Sequence, residues 1–129
     1  MKYLADTHAL IWYFAEDKRL GKKAKEVFLR AEKGKATIFL PTIVLAEAEA
    51  IAHKYGYQRK FRLLVARLQE APNFIICPFD KRVLEVYFRI KPTLEIHDRV
   101  IVATAKIHKA VIITRDREMK KSEGVETIW

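Results

Sequence analysis

The sequence is poor in several features that define whole classes of protein. It has one cysteine, Cys77, among 129 residues, so it cannot form an internal disulfide and a cytoplasmic location is expected. No apolar run approaches the roughly 18 residues that a membrane span needs, so we expect no membrane partner. Four glycines and four prolines are scattered without a linker or repeat, and the length suits one domain over residues 1–129.

Acidic residues are also scarce relative to basic ones. Lys and Arg number 25 against 16 Asp and Glu, which gives a formal net charge of +9. A basic globular protein suits a polyanionic partner, most simply a nucleic acid. Since a lysine-rich solvated surface gives the same total, charge alone favours nucleic acid only slightly.

Short apolar runs alternate with amphipathic stretches along the whole chain. Strands are predicted over 2–5, 36–40, 73–77, 110–114 and 125–129. Helices are predicted over 7–15, 22–33, 58–70 and 95–108, from a Thr42 cap to Lys54, from an Asp80 cap to about Ile90, and as a short turn over 116–121. This alternation predicts an α/β fold whose mostly parallel sheet is covered on both faces. Ligand sites in such sheets lie at the carboxyl ends of the strands.

Three of the five aspartates stand at positions that this architecture makes interesting. Asp6 follows the strand "YLA", Asp116 follows "VIITR", and Asp98 lies in the first turn of the helix before that strand. Each has an ordinary structural explanation, because aspartate caps helices and suits the positive end of the helix dipole. Taken singly, capping is the better explanation for each.

Two glutamates, Glu47 and Glu49, interrupt the apolar helix "IVLAEAEAIA". The core face of this helix is best drawn through four residues, Val44, Ala48, Ile51 and Tyr55. Both glutamates then flank that face at similar angles, so periodicity does not choose between them.

Taken together, the carboxylates favour a metal site. Carboxylates from distant segments that meet at one end of a sheet repel one another unless a cation compensates. A hard divalent ion such as Mg²⁺ prefers oxygen ligands and is often held by carboxylates and substrate phosphate. An acidic metal site in a basic protein suits phosphodiester chemistry on a nucleic acid.

Four stretches, "LADTHALIWYF", "PTIVLAEAEAI", "EIHDRVIVATA" and "IITRDREM", resemble in order and spacing those of a PIN domain, and most closely the VapC-type toxins of toxin–antitoxin pairs. The resemblance implies a three-layer α/β/α sandwich and an endoribonuclease dependent on Mg²⁺ or Mn²⁺. Its acidic quartet falls on Asp6, Glu47, Asp98 and Asp116, so the family pattern, and not the spacing, selects Glu47. Two hydroxyls also match, those of Thr7 and Thr114.

The resemblance carries two departures and some secondary candidates. Ala46 stands where many relatives have Trp before the helix glutamate, and Glu95 occupies the first acidic position of a run that reads Asp-Pro-Phe-Asp in many relatives. Glu95 is therefore either an outer ligand or a first-turn acid. Three arginines beside the acidic positions, Arg99, Arg115 and Arg117, are candidate phosphate contacts, although solvent or a local ion pair is the better explanation for any single one. Packing or loop roles are expected for His8 and His97.

The expected mechanism is metal-assisted hydrolysis. Asp6, Asp98 and Asp116 would hold the metal directly or through its waters, and Glu47 would complete the site or orient the attacking water. By resemblance, Thr114 helps to orient a ligand or water. The partners implied are an RNA substrate, a small antitoxin protein and a second copy in a homodimer.

Three alternatives differ from this interpretation in class or in biology. A receiver domain also has an acidic pocket at strand ends, but it needs an aspartate after a middle strand, and this chain has none between Asp17 and Asp80. A protein that binds RNA without cutting it would not need the complete quartet. A PIN nuclease of RNA processing would share the chemistry but not the antitoxin.

Overall fold

The computed structural model describes residues 1–122 and 124–129. Within them the strands are β1 (Lys2–Ala5), β2 (Thr37–Pro41), β3 (Phe74–Cys77), β4 (Val111–Ile113) and β5 (Thr127–Ile128). The helices of the same residues are α1 (Thr7–Phe14), α2 (Lys22–Glu32), α3 (Thr42–Lys54), α4 (Gln58–Glu70), α5 (Lys81–Tyr87), α6 (Ile96–His108) and α7 (Arg117–Lys120). The predicted alternation is confirmed, and no helix in this part of the chain is long and apolar enough to cross a bilayer.

Several predicted boundaries were wrong for local reasons. Thr42 is not a cap but the first residue of α3, because β2 joins α3 without a linker and Pro41 takes the cap position. The helix after Asp80 ends at Tyr87 and continues to Ile90 only as turns. The last strand is limited to the two residues that pair with β4.

The five strands form one sheet in the order β3-β2-β1-β4-β5, and every strand pair is parallel. The chain first moves outward from β1 through β2 to β3 and then returns to β4 and β5. Because crossovers between parallel strands are right-handed, reversing direction moves the helices to the other face. Helices α1–α4 therefore cover one face and α5–α7 the other, as a three-layer α/β/α sandwich requires.

The carboxyl ends of β1 and β4 form the switch point of the sheet. Connections leave these two neighbouring strands in opposite directions, which opens a crevice at their ends. Ala5 pairs in register with Ile113, so the next residue on each strand, Asp6 and Thr114, stand opposite each other. The backbone N–H of Asp6 donates to the carbonyl of Ile113 over 3.2 Å.

The core holds this edge rigidly. The largest fully buried side chains include Leu4 of β1, Leu40 of β2 and Ile112 of β4, as expected for strands that are covered on both faces. The core face of α3 differs from the predicted one, since it runs through Val44, Ala48 and Ala52. Tyr55 was wrongly placed on it: this residue lies beyond the last helical turn as the C-cap and is 66% exposed.

Candidate active site

Asp6 joins β1 to α1 and is almost completely buried. Its Oδ1 accepts the N–H of Ala9 over 2.8 Å, so it is the N-cap of α1. Only 7% of the residue is exposed. Burial raises the pKa of Asp6, whereas the Thr114 hydroxyl and the Ala9 N–H act to lower it. The expected capping role is present, and it fixes the carboxylate at the switch point.

Asp116 has the same kind of support at the end of β4. Its Oδ1 accepts the N–H of Glu118 over 2.8 Å, and its own N–H donates to the hydroxyl of Thr114 over 3.0 Å. Thr114 is buried directly opposite Asp6 in the strand register. Thr114 therefore sets the backbone that presents Asp116 beside Asp6.

Asp98 lies in the first turn of α6, half-buried, and completes this convergence. Burial, followed by the charges of Asp116, Glu95, Asp6 and Glu47, raises the pKa of Asp98 to about 6. The carboxylates that the sequence proposed as a quartet are thus close enough to repel one another.

The structure separates the two glutamates that periodicity left equivalent. Glu47 points to the switch point, where its Oε1 accepts the hydroxyl of Thr7 over 3.0 Å. Glu49 instead accepts two hydrogen bonds from Arg62 of α4, from Nε over 3.0 Å and from Nη2 over 2.6 Å. Glu47 therefore lies with the acidic cluster, and Glu49 is an outward ion pair between two helices.

Sequence comparison assigns this arrangement to a family, because the family model of the PIN domain matches residues 3–124. The chain belongs to the PIN domain family. PIN domains are nucleases and generally depend on divalent metal ions. No curated protein matches the chain in sequence.

Solved structures share the whole fold of this PIN domain at low sequence identity. VapBC2 from Rickettsia felis, bound to a DNA fragment from its promoter, has a TM-score of 0.77 at 17% identity, covering 100% of this chain and 99% of that chain. DNA-bound VapBC from Salmonella typhimurium has a TM-score of 0.75 at 17% identity and covers 99% and 97%. FitAcB from Neisseria gonorrhoeae has a TM-score of 0.72 at 23% identity and covers 100% and 97%.

His97 contacts the acidic cluster of this PIN domain, and the sequence did not reveal that contact. Its Nδ1 lies 3.3 Å from Oε2 of Glu47 and 2.9 Å from Oε1 of Glu95. The two oxygens of Glu47 thus face different neighbours, Thr7 on one side and His97 on the other. No pattern along the chain signals this contact, because α3 and α6 lie on opposite faces of the sheet and meet only over its edge.

The three candidate arginines have different surroundings. Arg99 donates to the hydroxyl and carbonyl of Tyr87 and to the carbonyl of Ile90 over 3.1–3.2 Å. Its guanidinium also stacks 4.0 Å from the Tyr87 ring centroid. Arg99 therefore fastens α5 to α6, contrary to the phosphate contact that its position suggested. Arg117 is exposed in α7, and Arg115 lies over the ring of Trp12, 4.5 Å from its centroid.

The donor set of the cluster fits a hard divalent cation. Its ligand candidates are carboxylate oxygens from four segments, and their mutual repulsion is the electrostatic condition that a cation relieves. Among residues 1–122 and 124–129, no group of three or more His, Cys, Asp or Glu side chains is close enough to hold an ion as it stands. Binding would therefore draw the carboxylates inward or use water as part of the coordination shell, as Mg²⁺ commonly does.

Proposed function

We propose that this PIN domain, over residues 1–129, is an endoribonuclease dependent on Mg²⁺ or Mn²⁺ and the cytoplasmic toxin of a toxin–antitoxin pair. One observation carries the proposal: Asp6, Glu47, Asp98 and Asp116 come from four distant segments and converge at the switch point of a PIN fold. The formal charge of +9 supports a polyanionic substrate around this acidic centre.

Each residue of the cluster has a distinct task in this proposal. Asp6, Asp98 and Asp116 would hold the ion, which when bound polarises the phosphodiester and favours attack by water. Glu47 would accept a hydrogen bond from the attacking water and so orient it, since Thr7 and His97 hold its carboxylate in place from two sides. Thr114 keeps Asp116 in place through the backbone N–H. The helix caps made by Asp6 and Asp116 leave one oxygen of each carboxylate for the ion.

The biological role is supported by the neighbours rather than by the site. Several of the similar structures are described as VapBC or FitAB assemblies, and one as a toxin–antitoxin complex from Klebsiella pneumoniae. By analogy we propose a small antitoxin protein as partner and a homodimer as the assembly. Glu95 and Arg117 remain secondary candidates at the rim of the site.

The chemistry is tested with the purified chain and a mixed RNA pool in Mg²⁺, Mn²⁺ or EDTA. We expect discrete cuts with either metal, and none in EDTA or with Asp98→Asn. A thermal shift on adding Mn²⁺ gives a second readout, since a ligand at ten times its Kd stabilises the folded state by about 1.4 kcal/mol. RNA that is bound but never cut would favour the non-cleaving alternative.

The cellular role needs a separate experiment. Brief induction followed by mapping of RNA ends should give cuts that are missing in Asp98→Asn cells. Growth arrest that co-expression of a small neighbouring gene relieves would support the toxin role. Cuts without growth arrest would support an RNA-processing nuclease.

A further inference from the structure

Arg115 is a basic residue that stands between two residues of the candidate acidic site. It lies between Thr114 and Asp116 in the loop after β4, with an exposed side chain. No acidic side chain of the described residues forms an ion pair with it. Its guanidinium stacks on the ring of Trp12, whose centroid is 4.5 Å from the guanidinium carbon. The side chain is therefore held in place while its donors remain exposed.

Trp12 is a firm support for that guanidinium. It belongs to α1, the helix that Asp6 caps, and is 5% exposed. The ring of Trp129 meets it edge-on at 5.7 Å. Trp129 in turn packs tightly against Gly21, where a Cβ would lie only 2.5 Å from the Trp129 carbonyl carbon. The Trp12 indole is thus held by its place in α1 and by Trp129, which Gly21 supports from the other side.

A second arginine on the same indole shows what is unusual about Arg115. Arg19 lies 4.8 Å from the Trp12 centroid, but Asp17 neutralises it through contacts of 3.0 Å to Nε and 2.8 Å to Nη2. Two guanidinium groups on one ring repel each other. Only Arg19 has an internal counter-charge among the described residues, so an external anion would complete the arrangement at Arg115.

We propose that Arg115 binds a substrate phosphate that flanks the acidic cluster, and that Trp12 is the residue that positions it. A planar guanidinium matches two phosphate oxygens, and holding it in advance lowers the entropy lost on binding. The identity of the substrate as RNA rests on the proposed function, whereas the contact with a phosphate rests on the geometry of Arg115 and Trp12.

The test is the binding of a fluorescent single-stranded RNA oligonucleotide in EDTA, followed by anisotropy over a salt series. Arg115→Ala should weaken binding about tenfold, the value of one charge-assisted hydrogen bond. The slope of log K against log salt should fall by about 0.7, the value for one phosphate on a single strand. Arg115→Lys should keep the slope but lose part of the affinity, because lysine keeps the charge without the planar fork.

Arg30→Ala is the control, since it removes the same charge from an exposed side chain in the last turn of α2. Because α2 leads into the start of β2, this residue lies at the edge of the sheet opposite to the acidic cluster. We expect less than about a threefold effect there, from general electrostatics alone. Trp12→Phe, which retains an aromatic face, should bind more tightly than Trp12→Leu, with circular dichroism to verify folding. Equal losses in Arg115→Ala and Arg30→Ala would show general electrostatics instead, and would overturn the proposal.

Cleavage, measured separately, distinguishes this inference from the proposed function. Arg115→Ala should raise KM with little change in kcat, because a flanking phosphate is bound equally in the ground and transition states. If the parent chain cleaves RNA in the presence of metal and Arg115→Ala binds RNA as tightly as the parent, only the role of Arg115 is overturned and the nuclease stands. No cleavage by the parent chain, with weaker RNA binding by Arg115→Ala, would overturn the nuclease and leave the phosphate contact standing.

Discussion

Asp6 and Asp80 adopt the same local structure at two places along one edge of the sheet. Each follows a parallel strand, and each caps the next helix through its Oδ1, which accepts the N–H three residues later over 2.8 Å for Asp6 and 3.1 Å for Asp80. Their surroundings differ completely. Asp6 is buried at the end of the middle strand β1, whereas Asp80 is exposed beyond β3, the outermost strand on its side.

Position in the sheet explains why only one of them belongs to a candidate site. One neighbour of β1 is β4, which ends at Ile113 and is followed by Thr114 and Asp116. The neighbour of β3 is β2, which ends opposite Cys77 in the apolar Pro41. A capping role and a role in the candidate site are therefore compatible for Asp6. The capping hydrogen bond holds its carboxylate at the point where the other carboxylates of the cluster converge.

The largest expected difference is in cleavage by Asp6→Asn and Asp80→Asn. Asparagine caps helices as well as aspartate does, so both variants should fold normally. Asp6→Asn should lower the metal-dependent cleavage rate more than about 100-fold, exceeding the usual effect of outer-shell changes at metal sites. Asp80→Asn should cleave like the parent chain. Comparable losses in both variants would show that removing a carboxylate anywhere along this edge lowers activity, and would contradict the special role of the switch point.

The glutamates of α3 repeat the comparison within one helix. Glu47→Gln keeps an acceptor for Thr7 but removes the charge, and we expect single-turnover cleavage to fall about 10- to 100-fold. Glu49→Gln breaks only the exposed pair with Arg62, so its rate should match the parent. Greater sensitivity at Glu49 would reverse the assignment made from the Thr7 contact.

Asp80→Ala isolates the contribution of a cap outside the site. Loss of the hydrogen bond to Val83 should lower the free energy of unfolding by about 1 kcal/mol in urea titrations. Cleavage per folded molecule should not change. A loss of activity in the folded protein would mean that the end of β3 contributes to the site after all.

The last expected difference is in the pH dependence of stability in metal-free protein. The pKa of Asp98 is about 6 in the folded state and near 3.8 when unfolded, so the folded state binds more protons between these values. The free energy of unfolding should therefore fall as pH rises from about 4 to about 6. Asp98→Asn should remove this part of the decline. The difference in free energy of unfolding between Asp98→Asn and the parent should therefore shift in favour of the variant as pH rises from about 4 to about 6. If urea titrations gave parallel plots of the free energy of unfolding against pH for the parent and Asp98→Asn, the raised pKa of Asp98 would be contradicted.

The fold was predictable because its signals are local. Short apolar runs such as "FIIC" predicted the strands, and carboxylates stood past the strand ends, after "YLA" and "VIITR". The alternation of strands and helices then sufficed to predict a parallel sheet. These signals depend on burial and on the preferences of neighbouring residues, which one sequence contains.

The environment of the site was less predictable because it depends on contacts between distant elements. Periodicity could not separate Glu47 from Glu49, since the difference lies in Thr7 and Arg62. The clamp made by Arg99 and the contact of His97 with Glu47 depend on how α6 meets other helices. The support of Arg115 by Trp12 joins the first helix to the loop after the fourth strand, and nothing near "TRD" indicates it.

Gly21 has no side chain to offer to RNA or metal, yet its small size has a genetic consequence. An alanine there would meet both the backbone and the ring of Trp129 at under 3 Å, and the displacement would pass through Trp12 to Arg115. In a survey of all single substitutions selected for loss of activity, this position should therefore be intolerant of change. The positions that do not tolerate substitution should therefore include, besides the acidic cluster, Trp12, Trp129 and Gly21, although Gly21 has no functional group of its own.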